Sequence, residues 1–189
     1  MTDERARLFV ALELPEAVRD RLATWGKGIA AGLPGVRAVA VESLHVTLCF
    51  LGWVEVGEIE AVAAACGVVA GMPAAELRVG RGIWLPARRP SVLAVELSDV
   101  DGRLGTVQSA LSEALAGGGW YRPEKRAFLP HVTVGRVGRT GRVRRGSELP
   151  EVPDGPSFSG CTVTLFRSRL SPAGARYEGL ASVETSTAH

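Results

Sequence analysis

Apolar and polar positions change period several times along the chain, and each change predicts an element. Arg7–Leu14 is a β-prone apolar run closed by Pro15 and predicts a strand. Val18, Leu22, Trp25 and Ile29 then fall at i, i+4, i+7 and i+11, one face of a helix over 16–31 that Gly32, Pro34 and Gly35 stop. A short strand at Val36–Ala40 precedes a longer one at Leu44–Leu51, which Gly52 ends. A second helix covers Val56–Ala70, with Ile59, Ala63, Cys66 and Val69–Ala70 inward, and stops at Gly71 and Pro73. Glu76–Leu85 and Ser91–Leu97 read as strands on either side of a Pro86–Pro90 turn. Asp99 or Asp101 caps a third helix with a buried stripe of Leu104, Val107, Leu111 and Leu115, ended by Gly117–Gly119. His131–Val137 is again a strand, and Gly138–Pro156, rich in Gly, Pro and Arg, reads as a mobile loop. Phe158–Leu170 and Tyr177–Val183 close the chain as a hairpin turning at Ser171–Gly174.

The order repeats. Strand 8–14, helix 16–31 and strand 44–51 match strand 91–97, helix 101–116 and strand 131–137. Such units predict an α+β fold with helices packed outside antiparallel or mixed sheets. Neither half is large enough for a full site, so the reading is a single unit over 1–189, bilobal and pseudo-twofold, its halves facing one central cleft.

The two matching strands carry the same phrase. One is His45-Val46-Thr47-Leu48, the other His131-Val132-Thr133-Val134. Residues at i and i+2 of a strand share a face, so each His stands beside its Thr while Val and Leu point the other way. With ten threonines in the chain, both non-terminal histidines having Thr at i+2 is a coincidence of about one in four hundred. Histidine titrates near neutrality, so one imidazole can take a proton as its partner gives one. Splitting a phosphodiester with water needs both acts, a base on the water and an acid on the departing oxygen. The threonine hydroxyls can hold the non-bridging oxygens. Neither motif has a His/Asp/Glu cluster around it, so no metal or other cofactor is expected.

Composition sharpens this only locally. The chain has 189 residues, 46% hydrophobic and 22% charged, with a formal net charge of +2, as befits a globular domain able to bury a core. No apolar run approaches the roughly 20 residues needed to cross a bilayer, and no charged-then-apolar leader opens it. Cys49, Cys66 and Cys161 are an odd, widely spaced set in apolar contexts and read as buried free thiols of a cytoplasmic protein. Arg136, Arg139, Arg142, Arg144 and Arg145 crowd into ten residues after the second motif, either a phosphate-binding cluster or a solvated basic loop. Phe50 and Trp84 could each stack on a base, but Phe50 shares the alternation face of Val46 and Leu48 and is expected in the core. Trp84, near Arg88 and Arg89, is left open, and the terminal His189 is expected to be inert.

At this point the residues resemble a known family, the two-histidine (2H) phosphoesterases. Within it they are most similar to the RNA 2′,3′-cyclic phosphodiesterases, also called 2′-5′ RNA ligases. The resemblance rests on Arg7-Leu8-Phe9-Val10-Ala11-Leu12-Glu13-Leu14-Pro15, on Leu44-His45-Val46-Thr47-Leu48-Cys49-Phe50-Leu51-Gly52, and on Pro130-His131-Val132-Thr133-Val134-Gly135-Arg136. It spans essentially the whole chain. It implies hydrolysis of a terminal RNA 2′,3′-cyclic phosphate to a 2′-phosphate in a central cleft. His45 would protonate the leaving 3′ oxygen and His131 would activate water. Thr47, Thr133 and Arg136 would bind phosphate oxygens, and Cys49 would have no chemical role. Strict alternation puts Arg136 on the face opposite His131, so its role needs the strand to end or twist first. The partner implied is RNA with a cyclic phosphate end, with no membrane involved and the protein a monomer. The competing readings are a cyclic phosphodiesterase acting on a small nucleotide and an RNA-end-binding module without turnover. The basic stretch 136–145 favours the longer polyanion.

Overall fold

The computed structural model describes residues 4–138, 141, 143–144, 146–171 and 174–186. Arg139, Arg142, Arg145 and His189, singled out above, lie outside the described residues. Chain order runs β1 (Arg5–Glu13), α1 (Glu16–Gly32), β2 (Val36–Ala38), β3 (His45–Glu55), α2 (Ile59–Cys66), β4 (Ala75–Leu85), β5 (Val92–Asp99), α3 (Arg103–Gly117), β6 (His131–Val137), β7 (Phe158–Gly160), β8 (Thr162–Ser171) and β9 (Gly174–Glu184). The strands form one curled sheet in the order β7-β4-β5-β6-β3-β1-β8-β9, with β2 against the far half of β6. The pairs between these strands are antiparallel. This is the α+β, two-lobed duplication expected from the repeat: β4, β5 and β6 on one side mirror β8, β1 and β3 on the other. The lobes meet where β3 pairs with β6 at Val46 and Val132.

The helices tie the lobes together. α1, which follows β1, packs on β2 and β6, and α3, which follows β5, packs on β3 and α2. Each helix therefore lies under the motif strand of the opposite half. The approach of α1 is close: a Cβ on Gly26 would lie 3.0 Å from both the Cβ and the carbonyl oxygen of Val134. The expected α3 stripe, Leu104, Val107, Leu111 and Leu115, is buried throughout. Both expected caps are used. Asp99 accepts from the backbone N–H groups of Leu104 and Gly105, at 3.2 and 2.9 Å, and Asp101 from that of Arg103 at 3.1 Å. Since Leu111 is fully enclosed, Leu111→Ala should cost about 2–5 kcal/mol of stability, measurable by urea unfolding; a cost under about 1 kcal/mol would contradict this packing.

Several expected boundaries shift. Gly52 does not end β3, because an irregularity in the β1 ladder absorbs its left-handed φ of 75° and the strand continues to Glu55. The 56–70 helix is α-helical only over Ile59–Cys66, with single 3₁₀ turns at each end. Cys66 and Val69 are buried as expected and Ile59 and Ala63 pack half-buried against the core, but Val62 is buried as well and Ala70 is exposed. The first short strand stops at Ala38. The 158–170 run breaks at Cys161, its first piece pairing with β4 and its second with β1, so it spans both lobes. The last strand is longer than expected, Gly174–Glu184. Cys49 and Cys66 are buried free thiols, as expected, but Cys161 is only half-buried. Burial pushes the Cys49 thiol up to about 12 and Cys66 to about 11, which makes both unreactive. Gly138–Pro156 contains no helix or strand among its described residues.

Candidate active site

The antiparallel pairing of Val46 with Val132 sets the centre. Counting outward from that pair, Thr47 comes opposite His131 and His45 opposite Thr133. The two valines are fully buried on one face. The two His-Thr pairs therefore occupy the other face as a crossed quartet. A cavity of about 640 Å³ opens beside it, lined by Thr47, His131 and Thr133 among others.

Both imidazoles are held the same way. The Nδ1–H of His45 donates to the Ser43 carbonyl and that of His131 to the Leu129 carbonyl, each at 2.8 Å and each two residues back. A carbonyl can only accept, so the proton of the neutral ring is on Nδ1 and Nε2 is left with its lone pair. The Nε2 of His45 lies 3.2 Å from the Thr47 hydroxyl, which donates to it in that tautomer. Two duplicated histidines are thus oriented with the same nitrogen available.

Their surroundings differ. His45 sits against Phe9, stacked at 4.9 Å between ring centroids, with Tyr177 edge-on at 5.2 Å and Phe166 at 6.2 Å. This burial, together with the charges of Arg136 and His131, outweighs the Ser43 hydrogen bond and lowers His45 from 6.5 to about 4. His131 lies at the more open end, beside the cavity.

Beyond each Thr, the alternation changes phase. In β3, Ala11 pairs with Thr47 but Val10 with Cys49, leaving Leu48 as an extra residue. In β6, Ala94 pairs with Thr133 but Leu93 with Gly135, leaving Val134 as the extra residue. The two bulges stand at equivalent places, and each turns the later residues over. Arg136 thereby joins the face of His131 and Thr133, and its charge reaches His45. Phe50, expected in the core, is turned the same way: it is 47% exposed, lines the cavity and lies beneath Arg7 at 4.8 Å. Cys49 takes the buried face instead. Trp84, left open above, is buried in β4, away from the quartet.

Sequence reasoning missed the aromatic wall of His45. Phe166 and Tyr177 come from β8 and β9, 121 and 132 residues further along the chain, and no local pattern links them to His45. The bulges had one available signal, since an isolated Gly inside a strand, here Gly135, marks such irregularities. Among the described residues no group of three or more His, Cys, Asp or Glu side chains could hold a metal ion, and no helix is long and apolar enough to cross a membrane.

Comparison with known proteins bears on this geometry. Residues 12–93 match the model of the family described as LigT like phosphoesterase. The chain is 30% identical to an RNA 2′,3′-cyclic phosphodiesterase of Archaeoglobus fulgidus over 131 residues, 69% of this chain and 72% of that protein. It is 31% identical over 133 residues to one of Thermotoga maritima, 69% and 70% of the two chains. The chain belongs to the LigT-like phosphoesterases of the 2H superfamily. The crystal structure of Escherichia coli LigT complexed with 3′-AMP superposes with a TM-score of 0.78 at 25% identity, covering 96% of this chain and 99% of that one. The likeness extends well past the region matched by the family model, across both lobes.

Proposed function

We propose that this phosphoesterase hydrolyses the 2′,3′-cyclic phosphate at an RNA end to a 2′-phosphomonoester, without a metal. The observation that carries this reading is the crossed quartet, two Nε2 atoms and two hydroxyls on one face. In the reaction His131 Nε2 takes a proton from water, and the water oxygen bonds to phosphorus. The P–O3′ bond breaks opposite it, and O3′ takes a proton from His45 Nε2. Thr47, Thr133 and Arg136 hold the non-bridging oxygens as charge gathers on them. The same groups serve ligation, in which the 5′-hydroxyl of a second strand replaces water: it gives its proton to His131 and bonds to the cyclic phosphorus, and the P–O3′ bond breaks as O3′ takes a proton from His45, which leaves a 2′-5′ linkage. The family relatives named as RNA cyclic phosphodiesterases support the substrate class.

A histidine at about 4 is unprotonated at neutral pH. The acid role therefore requires the substrate anion, whose charge opposes that of Arg136 and raises His45 when it binds. The same low value favours a second reading, in which His45 is the base and His131 the acid. The first test is incubation of an RNA ending in a 2′,3′-cyclic phosphate with excess EDTA and identification of the product. Conversion to the 2′-phosphate at an undiminished rate is expected. Loss of activity restored by a divalent ion, or failure to open the ring at all, would overturn the proposal.

A further inference from the structure

Arg37 on β2 stands directly opposite Arg136 on β6, in the middle of a three-residue ladder flanked by Val36–Val137 and Ala38–Gly135. Residues so opposed have Cβ atoms about 4.5–5.5 Å apart and share a face, and like charges in that position destabilise the pair. Both arginines are exposed, and neither takes part in an ion pair among the described residues. Arg136 lies on the face of the quartet and its charge reaches His45. Glu13, opposite His45 in register, accepts a hydrogen bond from Thr164 at 2.6 Å. A ladder of three residues has little to set against this repulsion. Anions held at the two guanidinium groups replace the repulsion with attraction, and arginine forks suit phosphate oxygens.

We infer that Arg37 and Arg136 form a two-arginine anion subsite at the His45 end of the cleft, in which Arg37 takes the phosphate on the 5′ side of the terminal nucleotide. This rests on the proposed function, because Arg136 is then occupied by the cyclic phosphate. Arg37 stands one strand further out, and the next anion along an RNA strand is the internucleotide phosphate. The subsite makes the protein prefer an oligonucleotide end over a lone nucleoside cyclic phosphate.

The test uses three substrates: a nucleoside 2′,3′-cyclic phosphate, the same with a 5′-phosphate, and a dinucleotide with a cyclic end. Arg37→Gln should lower kcat/KM about tenfold on the last two and less than twofold on the first. In low-salt buffer without phosphate the same variant should melt at a higher temperature, since the repulsion is gone. An equal loss on all three substrates, no loss on any, or a lower Tm would overturn the inference. Binding keeps it separate from the reaction. A single-stranded trinucleotide with a 3′-phosphate, measured by calorimetry, should bind Arg37→Gln about tenfold more weakly. Its salt dependence should fall by about 0.7 in log–log slope. If the wild type binds the trinucleotide through Arg37 yet opens no cyclic phosphate, the proposed function fails and the subsite stands. Unchanged trinucleotide binding removes the subsite.

Discussion

His45→Asn and His131→Asn should each lose about a thousandfold in kcat on a 2′,3′-cyclic phosphate and still fold. Positioned proton transfer is worth roughly 10²–10⁴ in rate, and these two rings are the duplicated titratable groups of the quartet. Asparagine is the informative replacement, because its side-chain amide can still donate to the Ser43 or Leu129 carbonyl that Nδ1 serves. His45→Ala would instead open a hole beside Phe9 and Tyr177 and confuse stability with chemistry. Full activity in either Asn variant, with an unchanged melting temperature, would remove that histidine from the reaction. A substrate with sulfur at the 3′ bridging position separates the two roles. A thiolate leaves without a proton, so this substrate should restore the rate of the variant lacking the acid. Rescue of His45→Asn alone assigns His45 as acid, and rescue of His131→Asn alone exchanges the assignments.

Arg136→Ala should lower kcat/KM by about 10²–10³, the cost of removing one donor to a developing oxyanion, and should also raise the pKa of His45. The second effect follows from sign. Arg136 is among the causes that hold His45 at about 4, so removing its positive charge favours the imidazolium and moves the titration up toward 6.5. NMR titration of the His45 ring reads this directly in the protein alone. Arg136→Lys separates charge from shape. Lysine keeps the charge, so His45 should stay low, but it lacks the planar fork and the rate should remain depressed. A His45 titration indifferent to Arg136→Ala would mean the guanidinium does not reach the quartet. Adding inorganic phosphate to the wild type should likewise raise the His45 pKa, since the anion opposes the charge of Arg136. If it does not, the acid role of His45 loses its source of protons.

What the residues alone determined about this protein is local and periodic. Helix stripes such as Leu104, Val107, Leu111 and Leu115, and the i to i+2 sharing of a face by His45 with Thr47 and His131 with Thr133, depend only on residue spacing. So does the duplication, because two copies of one unit show as two copies of one pattern. The tertiary structure decided what spacing along one strand cannot carry. A bulge exists only between paired strands, so the extra residues Leu48 and Val134 appear in the ladders with β1 and β5. They moved Phe50 out of the core and brought Arg136 onto the histidine face against strict alternation. Pairing across the sheet made one quartet of two distant phrases, set Arg37 against Arg136, and walled His45 with rings from β8 and β9. That wall buries His45 while His131 faces the open cavity, so two histidines in identical phrases differ because their surroundings come from other strands.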